Sequence, residues 1–136
     1  LTDGFLWWTI HSAKKFRIPR LVFYGMSCYI ASLCMEAMSP GILSGPQPDD
    51  ELVELTRFPW IRLCKEDFDF DFRNPDPNSP GYVFNMKAFE STRDSYGILV
   101  NSFYELEPTF VDYLSKESSP KSWCVGPLCL SERTRK

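Results

Sequence analysis

Apolar positions at the start of the chain recur with the period of an α-helix. They are Leu6, Ile10 and Ala13, flanked by aromatic side chains. This spacing predicts an amphipathic helix over residues 3–16. Asp3 or Thr2 is expected to cap its N-terminus, because a short oxygen-bearing side chain accepts hydrogen bonds from backbone N–H groups that a helix start leaves unpaired. Pro19 then stops the helix, since proline has no backbone N–H to donate.

Short apolar runs alternate with helical patterns along the rest of the chain. The runs are residues 20–25 (RLVFYG), 97–103 (GILVNSF) and 122–130 (SWCVGPLCL). They predict buried strands. The helical patterns cover residues 26–38, 82–95 and 104–118. Strands that alternate with helices predict an α/β fold with a parallel sheet and flanking helices. The first strand of this repeat is expected to precede Leu1.

The last helical pattern contains a proline. Proline is tolerated in a first turn, so this helix is expected to begin near Glu107, with Pro108 directly inside it. Acidic residues in that turn are expected to complement the dipole of the same helix.

The stretch from residue 39 to residue 81 is rich in proline, glycine and aspartate. Residues 54–63 (ELTRFPWIRL) allow a short strand, and the alternation of acids and phenylalanines that follows gives way to turn residues. Long irregular excursions from a compact domain are usually binding loops or mobile flaps. We therefore expect residues 1–136 to form part of a single domain with a long irregular excursion at about 39–81.

Composition narrows the class of protein. An apolar fraction of 43% suits a globular core, and a formal charge of −3 gives no electrostatic reason to expect a nucleic-acid partner. No apolar run approaches the ~18 residues that a membrane span needs. A secretion signal is not expected, because Asp3 comes before any basic residue and Lys14 and Lys15 follow the apolar stretch. The five cysteines are odd in number and irregularly spaced, which predicts reduced thiols in a cytoplasmic protein.

Metal and cofactor sites are not expected. An acidic cluster lies at Glu66, Asp67, Asp69 and Asp71. It lacks the glycine turn and the bidentate acid of a calcium loop, so a solvated loop is favoured. Cys124 and Cys129 have no second pair of ligands nearby, which argues against zinc. Neither GxGxxG nor GxxxxGK(S/T) occurs, so the chain has no phosphate-binding loop of either common kind.

Asp3 has two interpretations. The structural one is the helix cap, worth about 1 kcal/mol. The functional one is a carboxylate that orients a histidine, as the third member of a catalytic triad does. His11 is the single histidine in the sequence. On one helix it would lie about 12 Å from Asp3 at ~1.5 Å per residue, so the two cannot form a dyad.

Four segments resemble the N-terminal domain of plant UDP-dependent glycosyltransferases. They are TDGFLWW at 2–8, PRLVFYGMS at 19–27, GILVNSFYELEP at 97–108 and SWCVGPLCL at 122–130. The resemblance covers essentially the whole chain, and NSFYELEP with VGPL downstream is its most specific part. It implies a partial Rossmann-like N-terminal domain of a GT-B glycosyltransferase, an internal piece of a two-domain enzyme. The segment with the catalytic histidine and the C-terminal donor-binding domain are then absent from these residues.

The resemblance also implies roles for particular residues. Asp3 matches the aspartate that orients the general-base histidine, and Phe5 matches a position that lines the acceptor pocket, although a core aromatic at the helix start is an equal alternative. Gly25 and Met26 follow the RLVFY strand, where many members carry serine or threonine near the donor sugar. This departure implies a pocket with one fewer hydroxyl.

The implied reaction transfers a sugar from a UDP-sugar to a hydroxyl of a small plant metabolite, with inversion at the anomeric carbon. Glucose is the expected sugar. The UDP-sugar is then a co-substrate, bound mainly by the missing C-terminal domain, and no cofactor is needed. Two alternatives stay open. One is a truncated, non-catalytic α/β domain that binds a small apolar ligand or a protein partner. The other is an unrelated nucleotide-binding domain, which the missing phosphate loop disfavours.

Overall fold

The computed structural model describes residues 1–37, 45–68, 73 and 76–130. Its helices are α1 (Thr9–Phe16), α2 (Cys28–Ala37), α3 (Pro80–Arg93) and α4 (Pro108–Glu117). Its strands are β1 (Thr2–Asp3), β2 (Leu21–Tyr24), β3 (Val53–Glu54), β4 (Arg62–Leu63), β5 (Gly97–Val100) and β6 (Ser122–Cys124). Single 3₁₀ turns cover Lys65–Asp67 and Leu128–Leu130.

A four-stranded parallel sheet organises the first of two compact units, which comprises Leu1–Ser32 and Met86–Lys136. The strand order is β1-β2-β5-β6. Val22 is fully buried at the centre, paired with Thr2 on one side and Ile98 on the other. Because these strands are parallel and alternate with helices, the predicted α/β class is confirmed.

The second unit, Leu33–Asn85, carries the excursion between the two halves of the first. It contains the antiparallel pair β3 and β4 and the buried side chains of Leu55 and Phe58. The strand expected within residues 54–63 is thus two short strands, one at each end of that stretch. The predicted end of the second helix at residue 38 and the acids Asp69 and Asp71 lie outside the described residues.

The first helix does not begin where the sequence pattern predicted. Thr2 and Asp3 form β1, paired with β2, and α1 starts only at Thr9 with no side-chain cap. The carboxylate of Asp3 instead accepts a hydrogen bond from the Phe5 N–H at 2.8 Å, an Asx turn. Pairing with β2 outweighed the local helical period, so the expected capping by Asp3 or Thr2 is wrong.

The last two elements also differ in detail. Glu107 is the residue before α4 and Pro108 is its first, as expected. The first turn of α4 contains no acidic residue. The expectation that acids in this turn interact favourably with the dipole of α4 is therefore wrong. The predicted strand at 122–130 ends at Cys124, and Leu128–Leu130 form a 3₁₀ turn instead.

Candidate functional site

The residues singled out from the sequence lie at one edge of the sheet. Asp3 is the last residue of β1, and Phe5 lies in the turn after it. Gly25 and Met26 directly follow β2, the neighbouring strand. All four are exposed, Phe5 by 57% and Met26 by 36%. This edge, where the carboxyl ends of parallel strands meet, is where ligands bind in open α/β sheets.

The Asp3 carboxylate combines exposure with a fixed backbone. One carboxylate oxygen accepts a hydrogen bond from the Phe5 N–H. The backbone carbonyl of Asp3 accepts one from the Leu6 N–H at 3.2 Å. Because the side chain remains exposed, it can accept a further hydrogen bond from an incoming group. His11 does not supply this hydrogen bond. It lies on α1, where its ring is roughly perpendicular to the Trp7 ring, with 6.1 Å between the two ring centroids.

Arg20 anchors the turn that carries Asp3. The residue is only 4% exposed, and its guanidinium donates to the carbonyls of Asp3 at 3.4 Å and Leu6 at 3.3 Å. Its other acceptors are the hydroxyls of Thr2, Thr9, Ser91 and Ser95 and the carbonyl of Ser91. Burial lowers the pKa of Arg20, yet an arginine stays protonated at neutral pH. One buried cation thus ties together the end of β1, the start of α1 and the end of α3.

Glu107, which is distant in sequence, fixes the end of the loop after β2. Its carboxylate is buried and accepts the N–H groups of Cys28 at 2.8 Å and Tyr29 at 2.7 Å, together with the Ser102 hydroxyl. Cys28 and Tyr29 are the first residues of α2. Glu107 therefore caps α2, although it stands next to α4 in the sequence. Gly25 and Met26 are held on one side by β2 and on the other by this cap.

The motifs at 97–108 and 122–130 meet at the same edge. The Asn101 side chain accepts the Leu128 N–H at 3.1 Å, and the Gly126 N–H donates to the Ser102 carbonyl at 2.9 Å. A Cβ on Gly126 would lie 2.6 Å from the Asn101 Oδ1 and 2.8 Å from the Ser102 nitrogen. Only glycine allows this approach, so Gly126 lets the two segments pack directly against each other.

Sequence reasoning missed Arg20 and Glu107 as organisers of the site. The one signal for Arg20 was its position directly before an apolar strand. The sequence alone does not show that this arginine is buried, since arginine is rarely buried unless it is paired. For Glu107 no local signal existed, because its partners on α2 lie 78 and 79 positions away.

Replacing Glu107 by glutamine is expected to destabilise the chain by about 1–3 kcal/mol, since one acceptor oxygen facing backbone donors becomes an NH₂ donor. Urea denaturation monitored by circular dichroism measures the difference. Glu105→Gln is the matched control, because Glu105 is exposed two residues away and its replacement is expected to cost less than ~0.5 kcal/mol. Equal midpoints for the two variants would contradict the capping role.

Two cavities lie elsewhere in this unit. One of about 350 Å³ is lined by residues around the end of α1 and the starts of β2 and β5, including Ile18 and Tyr96. The other, of about 200 Å³, lies among β5, β6, α4 and the first residue of α2. Neither of these two cavities is lined by Asp3, Phe5, Gly25 or Met26.

The described residues contain no cluster of three or more histidine, cysteine, aspartate or glutamate side chains placed to hold a metal ion. In the same part of the chain no helix has both the length and the apolarity to cross a membrane.

Sequence comparison identifies the relatives of this chain. UDP-glycosyltransferase 90A1 of Arabidopsis thaliana is 46% identical over 135 residues, which are 97% of this chain and 28% of that protein. UDP-glycosyltransferase 90A2 of the same plant is 40% identical over 130 residues, 95% of this chain and 28% of its own length. The chain is homologous to plant UDP-glycosyltransferases. It spans about 28% of the length of these curated relatives. No family model matches it.

Solved UDP-glycosyltransferase structures agree with this assignment. Glycyrrhiza uralensis UGT73P12, complexed with glycyrrhetinic acid 3-O-monoglucuronide, matches with a TM-score of 0.81 and 29% identity over 94% of this chain and 26% of that one. Medicago truncatula UGT71G1, complexed with UDP-glucose, matches with a TM-score of 0.69 and 27% identity over 94% and 28% respectively. The predicted resemblance and the GT-B type of fold are confirmed.

Proposed function

We propose that residues 1–136 belong to the N-terminal, acceptor-side domain of a longer UDP-glycosyltransferase that transfers glucose to a hydroxyl of a small plant metabolite with inversion. The supporting observation is the gathering of Asp3, Phe5, Gly25 and Met26 at the carboxyl edge of the sheet. The UDP-glucose bound by Medicago truncatula UGT71G1 supports glucose as the sugar. The remainder of the enzyme supplies the catalytic histidine and the donor-binding domain.

In this proposal Asp3 is a positioning residue for that histidine. The imidazole takes the proton from the acceptor hydroxyl as its oxygen attacks the anomeric carbon and UDP departs from the opposite side. Asp3 accepts a hydrogen bond from the second ring nitrogen, which fixes the tautomer and stabilises the imidazolium. β1 supports this arrangement, because it is the terminal strand of the described sheet. A further strand carrying the histidine can pair along its open side.

Phe5 and Met26 supply exposed apolar surface at the same edge, which suits an acceptor with an apolar skeleton. Gly25 brings no hydroxyl, so contacts to the sugar at this point fall to other residues. We propose a cytoplasmic location, because all five cysteines are free and a reducing compartment keeps them so.

A chimeric enzyme tests the proposed function. Residues 1–136 replace the aligned segment of Arabidopsis thaliana UDP-glycosyltransferase 90A1, and transfer from labelled UDP-glucose is measured on a panel of small hydroxylated acceptors. We expect glucoside formation by the chimera and none by the 136-residue chain alone, which lacks the histidine and the donor domain.

The unaltered relative is the positive control, and UDP binding shows that the chimera is folded. A chimera that binds UDP but glucosylates no acceptor would contradict the proposal. Turnover by the isolated chain would contradict the assignment of donor binding and the base to other parts of the enzyme.

A further inference from the structure

We propose that Cys28 and Cys124 form an oxidisable dithiol, which a low-molecular-weight disulfide such as glutathione disulfide converts into an intrachain disulfide. This modification site is separate from sugar transfer. The two sulfurs are in contact, a cavity lies beside them, and both residues are held by elements of the sheet and its helices.

The two sulfur atoms are already in contact. Their separation is 3.6 Å, although the residues are 96 positions apart in the chain. A disulfide bond is about 2.0 Å long, so bond formation requires the two sulfurs to approach each other by about 1.6 Å.

Both backbones are fixed. Cys28 begins α2, where its N–H is held by the Glu107 carboxylate. Cys124 ends β6, in register with Val100 of β5. The thiols therefore meet because of the fold, and an unfolded chain has no reason to prefer this pair over the others among its five cysteines.

A small oxidant has a route to the pair. The cavity of about 200 Å³ among β5, β6 and α4 is lined by both cysteines, with Ser115 and Trp123 among its other walls. Cys124 is half-buried, whereas Cys28 is 1% exposed. The incoming disulfide therefore meets Cys124 first.

The reaction is thiol–disulfide exchange in two steps. The Cys124 thiolate attacks one sulfur of the small disulfide, a mixed disulfide forms, and the first thiolate leaves. The Cys28 thiolate then attacks the Cys124 sulfur, the intrachain bond forms, and the second thiolate leaves. The two cysteine sulfurs are oxidised, the small disulfide is reduced to two thiols, and these take up the two protons that the cysteines lose.

The surroundings of Cys28 control the second step. Burial, the hydrogen bond with Cys124 and the charges of Cys124 and Glu107 raise the pKa of Cys28 to about 12, while the Ser102 hydroxyl opposes this shift. The attacking thiolate is thus scarce at neutral pH. We expect ring closure to quicken by about tenfold per pH unit between pH 7 and 9, in proportion to the thiolate fraction.

The test uses the whole 136-residue chain with Cys34→Ser, Cys64→Ser and Cys129→Ser, so that only the pair remains. The folded chain is incubated with glutathione disulfide, free thiols are alkylated, and the intact mass is measured. We expect a product lighter by two hydrogen atoms, with no retained glutathione, and a proteolytic peptide that links Cys28 to Cys124.

Two comparisons keep the result decisive. Adding Cys28→Ser to this background is expected to leave a glutathione adduct on Cys124 that does not resolve. In the unsubstituted chain, peptide mapping is expected to find Cys28–Cys124 as the main intrachain disulfide. This control shows that the result does not arise from misfolding of the serine variants. Stable adducts on both cysteines, disulfides only between chains, or equal yields of other pairs would overturn the proposal. None of these readouts depends on glycosyltransferase activity.

Discussion

Asp3→Asn is expected to lower the turnover rate of the chimeric enzyme by at least ~10²-fold and to leave its melting temperature unchanged. Asparagine keeps a side-chain oxygen that accepts the Phe5 N–H, so the turn after β1 is preserved. What the substitution removes is the negative charge that, in the proposed mechanism, stabilises an imidazolium. The loss is therefore expected in catalysis alone.

Turnover and thermal unfolding are measured on one preparation of each variant. Asp112→Asn is the matched control, because Asp112 is exposed on α4 and its replacement is expected to change neither quantity. An Asp3→Asn enzyme that turns over like its parent would remove Asp3 from the mechanism. A lower melting temperature with a parallel loss of rate would indicate a purely structural role.

Arg20→Met is expected to reduce the free energy of unfolding of the 136-residue chain by about 3 kcal/mol. Methionine fills part of the volume but leaves the carbonyls of Asp3 and Leu6 and the surrounding hydroxyls without their buried donor. Arg20→Lys keeps the charge but lacks the planar fork that reaches several acceptors at once, so an intermediate loss is expected.

Urea denaturation compares these variants with Arg93→Met. Arg93 is exposed at the end of α3, and its replacement is expected to change the free energy of unfolding by less than ~0.5 kcal/mol. If Arg20→Met and Arg93→Met unfold at the same urea concentration, the hydrogen bonds of Arg20 contribute nothing to stability. That result would contradict the role of Arg20 as the anchor of the Asp3 turn.

The sequence predicted the parts of the fold that local patterns control. The apolar runs at 20–25 and 97–103 contain β2 and β5, and the alternation with helices correctly indicated a parallel sheet. The start of α1 was mistaken because Phe5 and Leu6 continue a helical period. Pairing between β1 and β2, a contact across 20 positions, decided the outcome instead.

The candidate site was predictable only where the chain itself carries the signal. The family resemblance matched Asp3 to the aspartate that orients a histidine. Its position at the end of β1 was not predicted, because the sequence pattern indicated a helix from residue 3. The supports of that site are side-chain hydrogen bonds between distant segments. Arg20 reaches Ser95, and Glu107 reaches Cys28, and no periodicity in one sequence reports such contacts.

The carboxylate that caps α2 also affects where the proposed enzyme can bind its nucleotide donor and where it can bind its acceptor. A free helix N-terminus attracts phosphate, but at α2 the partial positive charge is already balanced by Glu107. The pyrophosphate of a nucleotide donor gains little there and must find its countercharge on other elements. In the proposed enzyme we therefore expect substitutions at Gly25 and Met26 to change the choice of acceptor more than the affinity for the nucleotide.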